Sequence, residues 1–339
     1  MRALLCAWAI TAAPALAESP YHERPEVQKF IGELVERHGF VDSELEKVFA
    51  RARREEAVLE AIQTPAEKVK PWRAYRATFL DERRVSAGAA FWAANRKTLE
   101  RAERTYGVPA EYVVAIIGVE TFYGRHTGKW RVVDVLTTLA FDYPPRGNFF
   151  RAELESYLLF VREKNQDVFS VRGSYAGAMG LPQFMPSSAR RYAVDFDRDG
   201  KVDLRRSPAD AIGSVANFLR QHGWRRGAEP MLTASVSGEA WRALGEGFEP
   251  RRPLEEWLAA GVELDKPPAD PAAPATLVEL ATPGEPSDFR LGFRNFYVIT
   301  RYNRSAFYAT AVNDLAHELR ARHPGKSPAK KKPAQSAGK

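Results

Sequence analysis

Apolar residues recur at helical spacing along most of the chain before residue 225. Over residues 26–38, Val27, Phe30, Ile31 and Leu34 share one face, and Gly39 ends the pattern, which predicts a helix. The same reasoning predicts helices over 42–50 behind an Asp42 cap, 81–106, 148–163, 207–222 behind a Ser207 capping box, and 305–322. The stretch that follows Pro109 differs, because seven of its residues from Tyr112 to Val119 are apolar nearly all round. It is typical of a helix buried on every side.

Beyond about residue 225 the pattern changes to β-type alternation. Residues 231–236 and 276–282 favour strands, and Phe289, Leu291 and Phe293 alternate with polar residues. The β-branched and aromatic residues of 296–300 continue this pattern, whereas the Pro- and Ala-rich stretch 266–274 predicts a loop. The fold class expected is therefore α+β and mostly α: a helical body with a small antiparallel β-subdomain near its C-terminal end.

The first 17 residues have the pattern of a cleavable signal peptide. Arg2 precedes an apolar run over 3–13, and Ala15-Leu16-Ala17 forms a cleavage site. No later stretch approaches the roughly 18 apolar residues that a membrane span needs. We therefore expect an exported, periplasmic protein that does not span the membrane.

Cysteine usage narrows the chemistry further. The only cysteine, Cys6, lies inside the apolar run rather than after it, so a lipid anchor is not expected. A mature chain without cysteine excludes disulfides, thiolate catalysis and cysteine-ligated zinc. The chain also contains no P-loop and no dinucleotide fingerprint, so no organic cofactor is expected.

The formal charge of +7 is concentrated in the last residues. Arg2 and the five lysines of residues 325–339 account for all but about one of these charges. A nucleic-acid partner would require the charge on a folded face, so this class is disfavoured. The tail is either a contact for an anionic cell-envelope polymer or a solvated, disordered end.

Glu120 is the most informative single residue, because it ends the buried apolar helix. Burial and the partial negative charge of a helix C-terminus both disfavour a carboxylate and are expected to raise its pKa. A glutamate that stays protonated near neutral pH suits a general acid that protonates a glycosidic oxygen. The alternative is a glutamate at a helix end that reaches into water.

The stretch 173–188 is rich in glycine, proline and small residues. Such a loop lets the backbone approach a ligand closely, and the Gln183 amide suits sugar hydroxyl or acetamido groups. A packed turn between helices is the alternative.

Three motifs now resemble one family. They are Gly118-Val-Glu-Thr-Phe-Tyr-Gly-Arg125, Gly177-Ala-Met-Gly-Leu-Pro-Gln-Phe-Met-Pro-Ser-Ser188 and Asp210-Ala-Ile-Gly-Ser-Val-Ala-Asn217. In this order they are similar to the lytic murein transglycosylase B family, lysozyme-like enzymes of peptidoglycan, from about Tyr21 to about Ala321. The resemblance implies an N-terminal helical part over 18–105, a lysozyme-like core over 106–225, a β-subdomain over 226–300, and a core helix over 301–324 ahead of the tail at 325–339.

The resemblance also assigns roles to single residues. Glu120 matches the catalytic acid/base, Ser174 and Gln183 match positions around the cleaved bond, and Tyr75, Tyr302 and Asn303 match residues of the substrate cleft. Phe218 stands where a sugar-stacking tyrosine is expected, so a stacking contact would survive but a hydroxyl contact would not. Leu181-Pro182 replaces a smaller, more flexible pair.

An acidic stretch resembles the first half of an EF-hand loop. Asp195, Asp197 and Asp199 supply carboxylates at positions 1, 3 and 5, followed by Gly200 and the backbone carbonyl of Lys201. Arg206 occupies position 12, so the ordinary loop fails. The resemblance implies a longer calcium loop that a later aspartate closes, for which Asp210 is the candidate. A solvated acidic turn is the alternative.

The function expected is cleavage of the MurNAc–GlcNAc bond of peptidoglycan to give 1,6-anhydromuramic acid products. Glycan strands are the expected partner, with cell-wall synthesis enzymes as further possible partners. One rival is a hydrolytic muramidase, which would need a positioned water molecule, commonly held by a second carboxylate; Asp134 and Asp142 are the nearest candidates. The other rival is a non-catalytic module that binds peptidoglycan.

Overall fold

The computed structural model describes residues 19–63 and 70–323. The predicted signal peptide and basic tail lie outside these residues. Contacts divide the chain into two compact units, with the boundary between Arg53 and Arg54.

The first unit contains a 3-10 turn and two helices, α1 (Pro25–His38) and α2 (Asp42–Arg51). Helix α1 buries Val27, Phe30, Ile31 and Leu34, which are the residues that the helical spacing placed on one face. Its Phe30 ring meets Phe49 of α2 edge-on at 6.2 Å. The predicted Asp42 cap is wrong, because Val41 occupies the N-cap and Asp42 is the first helical residue.

The second unit holds the remaining helices and strands of the described residues. The helices are α3 (Glu56–Gln63), α4 (Trp72–Phe79), α5 (Glu82–Ala94), α6 (Arg96–Tyr106), α7 (Ala110–Thr121), α8 (Val132–Phe141), α9 (Gly147–Glu163), α10 (Pro186–Tyr192), α11 (Pro208–Gln221), α12 (Leu254–Ala259), α13 (Arg294–Thr300) and α14 (Ala306–Arg322). The strands are β1 (Trp130–Arg131), β2 (Arg172–Gly173), β3 (Met231–Val236), β4 (Val262–Leu264), β5 (Thr276–Leu280) and β6 (Asp288–Gly292).

Helix α7 lies at the centre of this unit. Every residue from Tyr112 to Gly118 is buried, as the all-round apolar pattern predicts. The helix packs against α5, α6, α11 and α14. Its C-terminal end, which carries Glu120, is thereby held in place by neighbours on several sides.

The β-subdomain is a four-stranded antiparallel sheet with the strand order β4-β3-β6-β5. Leu291 of β6 pairs with Leu232 of β3 on one side and with Leu277 of β5 on the other. These three leucines pack with the buried Trp241 and Trp257 into a separate apolar core. The strands predicted at 231–236, 276–282 and around Phe289 are confirmed, as is the loop at 266–274.

Two predicted elements are wrong. Residues 81–106 form two helices, because the Asn95 side chain donates to the Phe91 carbonyl oxygen at 2.9 Å and competes with the helical backbone pattern. Residues 296–300 belong to helix α13 instead of a strand. There the Asn295 amide binds backbone atoms of Arg225 and Ala228, and burial of Phe296, Val298 and Ile299 overrides their strand propensity.

Two helical glycines make room for the Tyr123 ring directly after α7. A Cβ atom at Gly88 of α5 would lie 2.3 Å from the Tyr123 hydroxyl oxygen, and one at Gly118 of α7 would lie 2.6 Å from it. Tyr123 therefore fills a slot between α5 and α7 that exists only because both positions lack a side chain.

We expect Gly88→Ala to destabilise the protein by about 1–3 kcal/mol, as overpacked cores do, although alanine has the higher helix propensity. Urea unfolding measures this change. Gly32→Ala is the matched control, because Gly32 is an exposed residue of α1 at which an added Cβ would meet no atom within 4 Å. A Gly88→Ala protein as stable as the wild type would contradict this account of the slot.

Candidate active site

Glu120 lies in the last turn of α7, where the backbone reverses abruptly. Phe122 and Tyr123 both adopt left-handed conformations, with φ of 51° and 60°, and Gly124 follows with φ of 89°. The Thr121 hydroxyl oxygen lies 3.1 Å from the carbonyl oxygens of both Ile117 and Leu181 and accepts the Gly124 N–H. The helix end is thus joined to the Gly-rich loop, and Glu120 is held half-buried between them.

Tyr308 donates a hydrogen bond of 2.6 Å to Oε1 of Glu120. Tyr308 is buried in the first turn of α14, where its backbone N–H is capped by the Ser305 hydroxyl. Burial above all, and then the negative charge of Glu120, holds the pKa of Tyr308 well above its usual range. Its hydroxyl therefore stays protonated and acts as a donor that orients the Glu120 carboxyl group.

Tyr302 lies beside this pair. Its ring is nearly parallel to that of Tyr308, with centroids 6.4 Å apart, and its hydroxyl donates to the Pro182 carbonyl oxygen at 2.5 Å. Burial, followed by the charge of Glu120, also raises the pKa of Tyr302 well above its usual range. Tyr302 thus connects the start of α14 to the Gly-rich loop.

Phe218 lies behind Tyr302. It is only 5% exposed. Its ring meets Tyr302 edge-on at 4.8 Å, stacks on His222 at 4.1 Å and contacts Phe184 and Tyr192. In this position Phe218 has almost no exposed surface on which a sugar ring could stack, and it packs against Tyr302 instead. Burial lowers the pKa of the adjacent His222, which keeps that side of the cluster neutral.

Tyr75 reaches the site from α4. It is buried against Phe79 of its own helix and Phe307 of α14, with ring centroids 5.1 and 5.7 Å away. After burial and the charge of Glu120, Tyr75 also adds to the raised pKa of Tyr308. Helix α4 is in turn anchored by the Trp72 indole N–H, which donates to Asp288 at 2.9 Å.

Ser174 and Gln183 both lie in the Gly-rich loop, residues 173–188. The Ser174 hydroxyl oxygen accepts the backbone N–H groups of Ala176 and Ala178 and so closes the turn. Gln183 has a left-handed φ of 49°, and its side-chain nitrogen lies 2.8 Å from the Gly180 carbonyl oxygen and 3.3 Å from that of Thr127. Gln183 can therefore meet a ligand mainly through Oε1, as an acceptor.

An open groove of about 550 Å³ starts at these two residues. It is lined by residues 125–130 and by Ser174, Tyr175, Gln183 and Arg205. Two of these aromatic residues are accessible, since Tyr175 is exposed and Trp130 is half-buried. We call this feature the cationic groove, because its charged side chains are Arg125, Lys129 and Arg205.

The structure thus brings Glu120, Tyr75, Tyr302 and the loop of Ser174 and Gln183 together. Asn303 directly follows Tyr302 and is half-buried, and its carbonyl oxygen accepts the Ser305 N–H. Sequence reasoning missed Tyr308. The available signal was its position in the first turn after Ser305, six residues beyond Tyr302.

Both carboxylates considered for a hydrolytic mechanism form ion pairs with arginines. Asp134 is 1% exposed and forms an ion pair of 2.5 Å with Arg131, three residues before it. Asp142 forms an ion pair of 3.3 Å with Arg54. Both are therefore explained by structural ion pairs.

Three of the predicted calcium ligands converge. Asp195, Asp197 and Asp210 each offer a carboxylate oxygen, and these atoms lie within 4.8 Å of one another. Asp210 is buried at the start of α11 and accepts the N–H groups of Phe196 and Asp203, and burial raises its pKa. The Asp199 side chain instead accepts the Lys201 N–H and lies outside this group of three. The Ser207 cap of α11 is confirmed, with a bond of 3.1 Å to the Asp210 N–H.

The donor set is made of oxygen atoms alone, which suits a hard cation such as Ca²⁺. Asp195 also accepts the N–H groups of Arg198, Asp199 and Gly200, so its carboxylate is already positioned by the loop. The residues present therefore fit a calcium ion.

The fold and site agree with comparisons to known proteins. The family model described as transglycosylase SLT domain matches residues 22–317. Membrane-bound lytic murein transglycosylase B of Escherichia coli (strain K12) is 41% identical over 308 residues, which cover 88% of this chain and 84% of that protein.

Two solved structures are similar over nearly the whole chain. Soluble lytic transglycosylase SltB1 from Pseudomonas aeruginosa is 46% identical with a TM-score of 0.83, covering 89% of this chain and 100% of that one. Escherichia coli Slt35, solved in complex with calcium, is 39% identical with a TM-score of 0.80, covering 89% and 94%.

The class that fold and site define is a mostly helical, lysozyme-like protein with one glutamate at the end of its central buried helix. The chain belongs to the transglycosylase SLT domain family. This confirms the resemblance and the fold class expected from sequence. Within the described residues, no helix has the length and apolar character required to cross a membrane.

Removing the Tyr308 hydroxyl tests its effect on Glu120. In Tyr308→Phe we expect kcat/KM to fall by about tenfold or more, because hydrogen bonds to charged groups contribute about 1.5–3 kcal/mol. Such a bond favours the carboxylate, so its loss should raise the pKa of Glu120. An acid that must be protonated then stays active to higher pH, so the basic limb of the pH–rate profile should move upward.

Tyr157→Phe is the matched control for this measurement. Tyr157 is a buried tyrosine of α9 whose hydroxyl also donates a bond of 2.6 Å, in this case to the Val168 carbonyl oxygen. The Tyr157→Phe variant should be less stable than the wild type, but the basic limb of its pH–rate profile should not move. If the basic limb of the pH–rate profile does not move in Tyr308→Phe, then Tyr308 contributes only packing and does not orient Glu120.

Proposed function

We propose that this protein is a lytic transglycosylase that cleaves the MurNAc–GlcNAc β-1,4 bond of peptidoglycan and releases 1,6-anhydromuramic acid ends. The observation that carries the proposal is a half-buried glutamate, Glu120, whose Oε1 accepts the hydrogen bond of the Tyr308 hydroxyl at the end of the central helix. Family membership supports it, and so does the activity for which the similar proteins are named.

In the first step Glu120 acts as a general acid. Because Oε1 accepts the Tyr308 bond, the proton that is delivered is assigned to Oε2. It passes to the glycosidic oxygen as the bond to the muramyl C1 breaks, and the leaving sugar departs with a new hydroxyl group. Glu120 is then a carboxylate, which Tyr308 stabilises.

In the second step Glu120 acts as a general base. It takes the proton of the muramyl C6 hydroxyl as that oxygen bonds to C1, which closes the anhydro ring and regenerates the acid. The nucleophile belongs to the substrate itself, so high effective concentration replaces a positioned water molecule. Over the two steps Glu120 gives up one proton and takes one back, so the reaction needs no cofactor.

The ion pairs of Asp134 and Asp142 favour this route over hydrolysis. A hydrolytic enzyme commonly holds water with a second carboxylate, and each of these two is committed to an arginine. A non-catalytic binding module would have no use for a half-buried acid that a neighbouring hydroxyl orients.

Glu120→Gln should lower turnover of peptidoglycan sacculi by at least about 10²-fold, because glutamine can neither deliver nor accept the proton. Wild-type digestion should release muropeptides without a reducing end, each lighter by one water than the hydrolytic product, as measured by mass spectrometry. Reducing-end products would assign the protein to the hydrolytic rival.

Glu111→Gln is the control on the same helix. Glu111 lies in the first turn of α7, and burial raises its pKa too, but it faces Arg320 at 4.0 Å. Its substitution should leave turnover within a few-fold of wild type. Full activity in Glu120→Gln would eliminate the assigned site.

A structural calcium ion at Asp195, Asp197 and Asp210 is the second part of the proposal, with Asp199 and the Lys201 carbonyl as the remaining predicted ligands. The relative solved with calcium supports it. The site would tie the acidic loop to the start of α11, and no catalytic step depends on it.

Millimolar Ca²⁺ should raise the melting temperature over an EDTA-treated sample. At 100 times the dissociation constant the stabilisation is about 2.7 kcal/mol. Asp195→Ala should lose most of this response, whereas Asp167→Ala should keep it, since Asp167 also caps a turn through a backbone N–H but lies outside the cluster. Equal melting temperatures with calcium and with EDTA would contradict the site.

Export to the periplasm is the third part, and it rests on the signal-peptide pattern of residues 1–17. The Escherichia coli relative is named as membrane-bound, whereas the position of Cys6 in this chain disfavours a lipid anchor. Partnership with cell-wall synthesis enzymes and a role for the basic tail stay predictions.

A further inference from the structure

A second cavity, of about 330 Å³, lies where the segment after α11 meets the β-subdomain. It shares no lining residue with the cationic groove, and none of the residues assigned to the active site lines it. Three of its lining residues are basic, namely Arg225, Arg226 and Arg294. We call it the arginine cavity.

Most of the remaining wall is apolar. It consists of Phe293 together with three prolines and three alanines of the residues 228–274. Such side chains can contact only the apolar part of a ligand, because they offer no hydrogen bond to a polar one. The volume lies at the lower end of the range of roughly 300–1,000 Å³ for ligand pockets, so a short apolar body fits better than a long chain.

The three acidic side chains of the lining have other contacts. Glu229 forms an ion pair of 2.6 Å with Lys266, and Glu249 forms one of 2.5 Å with Arg251. Asp270 is exposed and accepts a backbone N–H group of its own loop. The pair of Glu229 and Lys266 also joins that loop to the segment after α11, so the two sides of the cavity are held together.

The three arginines therefore keep their positive charge. Within residues 19–63 and 70–323, none of Arg225, Arg226 and Arg294 forms an ion pair with a carboxylate. Even with Asp270 counted against them, the cavity retains an excess of positive charge. An anionic group would be attracted to it.

Two of these arginines are already fixed in place by backbone atoms. Nη2 of Arg226 donates to the carbonyl oxygens of Glu103 and Arg104 at 3.1 and 2.9 Å, and Nη2 of Arg294 donates to that of His222 at 3.2 Å. These carbonyl groups lie at the ends of α6 and α11. Each bond uses one nitrogen of a guanidinium group that carries five N–H donors, so donors remain for a ligand.

We propose that the arginine cavity binds a small amphipathic anion, which is a carboxylate or phosphate head group on a short apolar body. The guanidinium groups match the paired oxygen atoms of such a head group, and the prolines and Phe293 cover the body. Because two of the arginines are held before the ligand arrives, little side-chain freedom is lost on binding. The site is additional to the proposed function and does not depend on it.

The test is calorimetric titration of the purified protein with probes that separate the head group from the apolar body. Octanoate carries both, acetate has only the head group, and octanamide has only the apolar body. Octanoate should bind at least about tenfold more tightly than octanamide, because hydrogen bonds to charged groups are the stronger ones. It should also bind more tightly than acetate, because its additional CH₂ groups leave water.

The salt dependence and a fourth probe define the head group. The affinity for octanoate should fall as ionic strength rises. Octyl phosphate distinguishes the two sources of the anion: the tighter of octanoate and octyl phosphate identifies the preferred head group, and either result supports the site. Equal affinities for octanoate and octanamide, or no binding of octanoate and octyl phosphate, would overturn the proposal.

Arg225→Gln tests whether the ligand is bound in this cavity. Arg225 is exposed, so the variant should fold, and its affinity for octanoate should fall about tenfold. Arg220→Gln is the matched control, because Arg220 is an exposed arginine of α11 outside the cavity. An equal loss of affinity in this control would assign binding to net charge and overturn the proposal.

Ala228→Leu adds an apolar side chain to the lining without changing its charge. It should weaken octanoate binding by filling the space for the apolar body, in a protein whose melting temperature shows that it is folded. If it does not fold, Arg225→Gln and its control decide the question alone. Unchanged octanoate affinity in both Arg225→Gln and a folded Ala228→Leu would place the ligand elsewhere and overturn the site.

Discussion

The hydrogen bond between Tyr308 and Glu120 is the contact on which the geometry of the site depends. It joins the end of α7 to the first turn of α14, through two residues that lie 188 positions apart in the chain. A carboxyl group that must give and then take back a proton needs one oxygen fixed and the other left for the reaction. A buried hydroxyl with a raised pKa achieves this, because it donates to Glu120 without becoming charged itself.

The packing around this bond explains why it can form at all. Helix α7 is buried on nearly all sides and is followed directly by two left-handed residues, Phe122 and Tyr123, which fix where its last turn and Glu120 lie. Tyr302 holds the opposite side, since it lies parallel to Tyr308 and binds the Pro182 carbonyl oxygen. Phe218 fills the space behind it. Phe218 was expected to stack on a sugar, but it is buried in this cluster and packs against Tyr302 instead.

The spacing of apolar residues predicts those helices and strands that are buried on one face or on all sides. Helices α1, α7 and α14 and the strands around Leu291 belong to this group. The same spacing gives the wrong element where a hydrogen bond from one polar side chain determines the backbone conformation. The Asn95 amide divides a continuous amphipathic pattern into two helices, and the Asn295 amide pins a β-favouring segment as helix α13. Neither bond leaves a trace in the hydrophobic pattern, because each is made by a polar side chain. The Asn95 bond reaches a carbonyl oxygen four residues earlier, and the Asn295 bonds reach carbonyl oxygens that only the folded chain brings close.

The same distinction holds for the site. Glu120 could be found from sequence because its neighbours are contiguous, whereas Tyr308 approaches from a distant helix and is invisible until α14 is placed. Net charge shows a similar limit. The chain without its first and last segments carries a formal charge of about +1, which indicates no anionic partner. Folding nevertheless gathers Arg225, Arg226 and Arg294 around one cavity while pairing Arg131 and Arg54 with aspartates elsewhere. Affinity for an anion depends on this local separation of paired and unpaired cations, since charges more than about 10 Å away are screened at physiological salt.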